Sequence, residues 1–283
     1  MSAIAEVSPV VPPDLRIDLA TAEAVLVDFL RRETRKAGAG GAVVGLSGGV
    51  DSAVAATLAT RAFGPGKVLC ALLPHRSSGV RHLRDARDLA RRLGARTVTV
   101  PITPMVEGYF RGRRSNRLRR GNFMARQRMA VLYDLSAAHR AMVIGTSNKT
   151  ELLLGYGTQF GDLASALNPL GDLYKTQVRA LARHLDVPPE IADKVPTADL
   201  WAGQTDEAEL GHPYSELDRL LVLLVDRRVT PEEAAAAGFR RRMIADVRAR
   251  MIRTQFKRRT PLIAKVAPRT VGIDFRYPRD WGR

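Results

Sequence analysis

The sequence predicts an α/β fold: a doubly wound, mostly parallel sheet with a helical C-terminal portion. Three observations lead there. Short apolar runs alternate with stretches of helical periodicity through the first half of the chain. Two of those runs end in glycine-bearing turns, GLSGG and IGTSN. The composition, 45% hydrophobic and 26% charged over 283 residues, is that of a globular chain long enough to bury a real core. Strands alternating with helices give a parallel sheet covered on both faces, and such sheets bind ligands beyond the carboxyl ends of their strands.

Taken in order, Leu19, Ala22, Val25, Leu26, Phe29 and Leu30 recur at three- and four-residue steps and mark an amphipathic helix. AVVGL is short, apolar and partly β-branched, a buried strand. SGGV follows as a loop, then DSAVAATLATRAF as a helix with Asp51 or Ser52 as its N-cap. KVLCALL reads as a strand, and VRHLRDARDLARRLG as a helix closed at Gly94. TVTVPI is a third strand. A basic connector, RGRRSNRLRR, leads to the helix FMARQRMAVLYDLSAAHR and the strand AMVIGT. Three further helical stretches, YSELDRLLVLLVD, TPEEAAAA and RRMIADVRARMIRTQF, complete the pattern. The expected organisation is a flexible tail over residues 1–14, one domain over 15–262 and an irregular tail over 263–283.

A net charge of +16 points to anionic partners. The single cysteine, Cys70, excludes an internal disulfide framework and a cysteine-rich zinc site, and its apolar surroundings place it in the core. The first residues lack the pattern of a signal peptide, and nowhere do about 18 apolar residues run together. A cytoplasmic protein without a membrane partner is expected.

The segment Gly45-Leu46-Ser47-Gly48-Gly49-Val50-Asp51-Ser52 sits where a phosphate-binding loop would, between a strand and a helix. Set against the Walker pattern, however, its second glycine is Val50 and its lysine is Asp51. A carboxylate facing a polyphosphate is repelled unless a cation lies between them, and Mg²⁺ favours one or two carboxylates plus phosphate oxygens. The loop therefore suits magnesium-bound ATP whose pyrophosphate leaves, rather than transfer of the γ-phosphoryl group.

SGGVDS resembles the signature loop of the N-type ATP pyrophosphatases, Rossmann-like enzymes that cleave ATP between its α- and β-phosphates. TSNKTE, GYGTQFGD, NPLGDLYKTQVRALARHLDVP and PTADLWAGQTDEAELGHPYSELD follow in turn. This succession, from about Ala42 to Pro261, resembles the NAD synthetases, which amidate nicotinic acid adenine dinucleotide (deamido-NAD). The resemblance implies ATP and Mg²⁺ as cofactors, with Asp51 and Glu151 on the metal. It implies ATP contacts from Gly45 to Ser52 and from Thr146, Lys175 and Thr197, with Asp51, Lys175 and Asp162 catalytic. Asp162 would take a proton from the incoming ammonium. Arg126, Gln159 and Lys257 would stand on the dinucleotide side. Read as bare residues, Glu151 serves equally as a helix N-terminal acid, Lys175 and Arg126 as solvated helix residues, and Asp162 as a turn former.

Three positions depart from the family pattern. Gln159 replaces a lysine, Ala166 stands where an aspartate contacts the substrate, and Phe256 replaces a histidine ahead of Lys257. All three concern the acyl acceptor. Two alternatives stay open on these residues: a related pyrophosphatase amidating another carboxylate, and a tRNA-modifying pyrophosphatase using Arg111–Arg120 as a phosphate footprint. The family match leads us to expect no nucleic-acid partner. It also implies a homodimer, free ammonia or ammonia from a separate glutaminase, and a mobile lid over Gly155–Ser165.

Overall fold

Four short strands make the sheet: β1 (Gly41–Gly45), β2 (Val68–Leu72), β3 (Arg96–Thr99) and β4 (Ala141–Ile144). All neighbours are parallel, in the order β3-β2-β1-β4. The chain steps one way from β1 and then returns to its other side, so the crevice between the ends of β1 and β4 is a topological switch point. The computed structural model describes residues 11–197, 199–201, 203–259, 261–271 and 274. Of the expected tails, residues 1–10, 272, 273 and 275–283 lie outside the described residues.

Period-two alternation divides the strands between two cores. Ala42, Val44, Cys70 and Leu72 face helices α1 (Leu19–Lys36), α2 (Val50–Phe63) and α3 (Val80–Arg92). Val43, Leu69 and Ala71 face the other layer, built by α4 (Thr103–Phe110) and α5 (Arg117–His139). The expected strands are all present. Helix α4 was not anticipated, although Ile102, Val106 and Phe110 bury at four-residue steps.

Two helix starts differ from expectation. Neither Asp51 nor Ser52 caps α2; the cap is Gly49, whose lack of a side chain leaves the first turn without a side-chain lid. α5 begins at Arg117, not Phe123, because the Asn116 side chain accepts from the Arg119 amide at 2.9 Å. The last four residues of the basic connector are thus the first turn of a helix.

Beyond β4 come α6 (Lys149–Leu154), α7 (Lys175–His184) and α8 (Pro189–Ala192), then α9 (Asp206–Leu210), α10 (Tyr214–Leu221), α11 (Pro231–Ala236) and α12 (Arg241–Arg253). YSELDRLLVLLVD is not one regular helix, since a π-turn over Val222–Asp226 continues α10. Leu15, Leu154, Tyr174, Leu217, Leu220, Met243 and Val247 join in a third core that fastens this C-terminal portion to α6 and α7. The expected helix after Arg240 ends at Arg253, followed by a 3₁₀ turn at Gln255–Arg258.

Candidate active site

The glycine turn after β1 is shaped by its own side chains. The Ser47 amide donates to Ser52 Oγ at 3.2 Å, and that hydroxyl donates to the Gly49 carbonyl at 3.0 Å. Gly48 has φ +81°, and a Cβ there would stand 2.2 Å from the His82 carbonyl oxygen, so only glycine fits. With its serines spent on the turn and no side chain over its first amides, α2 presents its N-terminus at the switch point, a place that attracts anions.

Asp51, in the first turn of α2, meets residues from far along the chain. Its Oδ1 accepts from Asn148 Nδ2 at 3.0 Å, and its Oδ2 pairs with the Lys175 ammonium. Glu151 Oε1 lies 3.5 Å from the same ammonium. Asn148 caps α6 in a reciprocal box: its side chain accepts from the Glu151 amide at 3.0 Å while its own amide donates to Glu151 Oε2 at 3.2 Å. One buried asparagine thus aims both carboxylates. Sequence reasoning passed over it, although N-K-T-E just after a strand is the pattern of such a cap.

Lys175 opens α7 and is 2% exposed, with its ammonium 5.3 Å from the centre of the Tyr214 ring. Burial alone would lower its pKa, but the Asp51 and Glu151 carboxylates outweigh that and raise it. Burial pushes Glu151 up to about 8, against the pull of Lys175 and with the push of Asp51. A second buried acid, Asp218 of α10, braces the group from behind. It accepts from Thr150 Oγ1 at 2.6 Å, the Thr176 amide at 2.7 Å and Thr176 Oγ1 at 2.6 Å, while Thr150 Oγ1 accepts from the Lys175 amide at 3.0 Å. Asp218 so clamps the first turns of α6 and α7 together. Its signal was a charge inside the apolar stripe of Leu217, Leu220 and Leu221, which a helix tolerates only when the charge is partnered.

The residues expected on the dinucleotide side gather separately, with Asp162, around the turns of 155–165. Arg126 Nε donates to the Gln159 carbonyl at 3.2 Å, and Lys257 Nζ donates to the carbonyls of Gly155 and Gly157 at 2.8 and 2.7 Å. Asp162 accepts from the Thr158 amide at 2.8 Å. Its residue is solvent-accessible, yet the protein packed around it desolvates the carboxyl and raises its pKa, with the Thr158 amide and the Lys257 charge pulling the other way. Ala166 and Leu167 anchor the segment by pairing with the end of β4.

Thr146 lies half-buried in the turn after β4. Thr197 is placed apart from the carboxylate–lysine cluster: its Oγ1 accepts from the Asp199 amide at 3.1 Å, and it lines a cavity of about 530 Å³ with Arg81, His82, Lys194 and Gln204. Lys194 joins that cavity to the glycine turn, donating to the Gly48 carbonyl at 2.8 Å and to Asp85 at 2.6 Å. Arg128, also missed, donates to the Leu73 carbonyl at 3.1 Å at the end of β2. In the basic segment, Arg120 pairs with Glu107, and Arg113 lies over the Tyr109 ring.

A family model described as NAD synthase matches residues 23–261. The NH(3)-dependent NAD(+) synthetase of Chlorobaculum parvum is 51% identical over 271 residues, covering 95% of this chain and 98% of its own. That of Fusobacterium nucleatum is 48% identical, covering 85% of this chain and 94% of its own. Among solved structures, an NMN synthetase from Francisella tularensis superposes with a TM-score of 0.78 at 34% identity, covering 88% of this chain and 99% of that one. An NH3-dependent NAD synthetase from Campylobacter jejuni gives 0.76 at 33%, covering 88% and 100%. Matched along most of its length by the model and by relatives sharing half its residues, this enzyme belongs to the NAD synthase family.

Proposed function

We propose that the chain amidates deamido-NAD to NAD with ATP and ammonia. The observation that carries this reading is the meeting of Asp51 and Glu151, from two different helices, around one cation at the switch point. Their oxygens suit Mg²⁺ together with phosphate oxygens, so these two residues would hold the metal, and Lys175 would hold the phosphates. When bound, the metal supplies charge neutralisation to the polyphosphate. The substrate carboxylate attacks the α-phosphorus, the bond to the bridging oxygen breaks, and pyrophosphate leaves toward the α2 N-terminus. Ammonia then attacks the acyl carbon of the mixed anhydride and displaces AMP, leaving the amide. Asp162 accepts the proton that the nitrogen gives up, a role its raised pKa serves. The turns of 155–165 act as a lid that keeps water from the adenylate.

Carboxylate-dependent ATP–pyrophosphate exchange tests the reading, with deamido-NAD compared against nicotinate mononucleotide. Exchange with deamido-NAD and release of AMP support it; ADP and orthophosphate would end it. The Francisella tularensis neighbour, together with the changes at Gln159, Ala166 and Phe256, favours nicotinate mononucleotide as the second candidate acceptor. ATP turnover that requires tRNA would instead identify a tRNA substrate.

Homodimer assembly, free ammonia or a separate glutaminase as nitrogen source, and a cytoplasmic setting belong to the same proposal. No described helix is long and apolar enough to cross a membrane.

A further inference from the structure

The ammonium that unites Asp51 and Glu151 belongs to the protein itself. Lys175 Nζ pairs with Asp51 Oδ2 and lies 3.5 Å from Glu151 Oε1, while its side chain is only 3% exposed. It therefore occupies the space in which a cation shared by both carboxylates would sit. Two neighbouring carboxylates repel when both are ionised, and a cation between them offsets that cost. We propose that Lys175 is a resident cation of the metal site, holding Asp51 and Glu151 together and leaving them when polyphosphate and a divalent metal arrive together. The inference rests on the reading of Asp51 and Glu151 as metal ligands.

The geometry sets the order of events. A divalent ion arriving alone meets two carboxylates already engaged by an ammonium, and displacing that ammonium would leave a buried charge without a partner. The ammonium also lies over the Tyr214 ring and the Lys175 backbone amide is tied to Thr150 Oγ1, so this buried lysine has no ready retreat into solvent. A polyphosphate at the α2 N-terminus changes this, because it offers the ammonium new anionic oxygens as the metal takes the carboxylates. Metal and polyphosphate then promote each other's binding, and linkage requires the coupling to be reciprocal. The exchange also bears on turnover: when pyrophosphate departs with its metal, the lysine returns and keeps the carboxylates in place.

Mn²⁺ serves as the probe, with its binding followed by electron paramagnetic resonance on the full chain, with and without pyrophosphate. Wild-type protein is expected to bind Mn²⁺ at least about tenfold more tightly when pyrophosphate is present. Lys175→Met is expected to bind Mn²⁺ alone about tenfold more tightly than wild type, and to lose most of the pyrophosphate effect. Lys149→Met is the control for lost charge without lost occupancy. Lys149 sits two residues before Glu151 but pairs with Asp226 and Asp172, so its loss should change Mn²⁺ affinity by less than about twofold.

Asp51→Asn and Glu151→Gln separate the two levels of the argument. If neither weakens Mn²⁺ binding, the metal assignment itself fails. If both weaken it while Lys175→Met binds Mn²⁺ no better than wild type, only the resident-cation inference is lost. Should Lys175→Met fail to fold, the wild-type measurement still decides: Mn²⁺ affinity that does not respond to pyrophosphate overturns the exchange.

Discussion

The two halves of the site are held by opposite means. Around Asp51, side chains bind side chains: an ion-paired lysine, a capping asparagine and a threonine-bound aspartate, all nearly closed to solvent. Around Asp162, side chains bind backbone: Arg126 and Lys257 reach the carbonyls of Gln159, Gly155 and Gly157, and Asp162 accepts from the amide of Thr158. A buried side-chain network tolerates little change, since every lost partner strands another buried group. Bonds to carbonyls depend on the path of the chain and not on which residue supplies them. The half around Asp51 is thus built to stay constant, whereas the half around Asp162 can exchange residues without disturbing it. Gln159, Ala166 and Phe256 all belong to the second kind of region.

The largest effects are expected at the carboxylates. Asp51→Ala and Glu151→Ala should each reduce ATP–pyrophosphate exchange by about 10³-fold or more, as removal of charge stabilisation at a leaving group does. Near-normal exchange in either variant removes that residue from the metal site.

Asp162→Asn should act on the other half alone, lowering amide formation about 10²- to 10³-fold while exchange persists. The sign of its pH dependence follows from desolvation of the carboxyl by the protein packed around it. Because the folded carboxyl's pKa is raised, it becomes able to accept a proton only at a higher pH than an ordinary aspartate does. The acid limb of the amidation profile should therefore be shifted upward from an ordinary aspartate's and vanish in the variant. An unmoved limb would assign it to another group.

Asp218→Ala should cost about 3 kcal/mol of stability, since it leaves two threonine hydroxyls and an amide unpaired in the core. Asp218→Asn, still able to accept one or two of those bonds, should recover part of the loss. Equal denaturation midpoints for Asp218→Ala and wild type would show that the brace carries no load.

Lys257→Met should raise the KM for the dinucleotide about tenfold, by loosening the turns that its ammonium ties, and leave the KM for ATP unchanged. A matching rise for ATP would join the two halves. The smallest effect is expected at Cys70, whose thiol burial pushes up to about 11. Alkylation at neutral pH should proceed only on unfolding and leave exchange untouched.

Much of the framework is legible in the sequence. The strands, the glycine turn and most helices follow from periodicity and from turn residues, which act over a few positions. Helix starts were misread where a cap lies outside the helical pattern: Gly49 has no capping side chain to announce it, and Asn116 hides inside a basic run. Asn148 and Asp218 had local signals that went unused. Arg128 and Lys194 had none, because each acts on a carbonyl more than fifty residues away, at Leu73 and Gly48.

By itself, then, the sequence determined the layered α/β architecture, the loop that suits a metal-bound triphosphate and the family resemblance. These are local patterns, each complete within a short stretch of chain. Tertiary packing alone sets Lys175 between Asp51 and Glu151, and brings the Arg126 and Lys257 cations to the carbonyls of Gln159, Gly155 and Gly157. The reason is geometric. Lys175 and Asp51 are 124 residues apart, and their meeting depends on strand order, on helix packing and on a buried brace, none of which a local window contains.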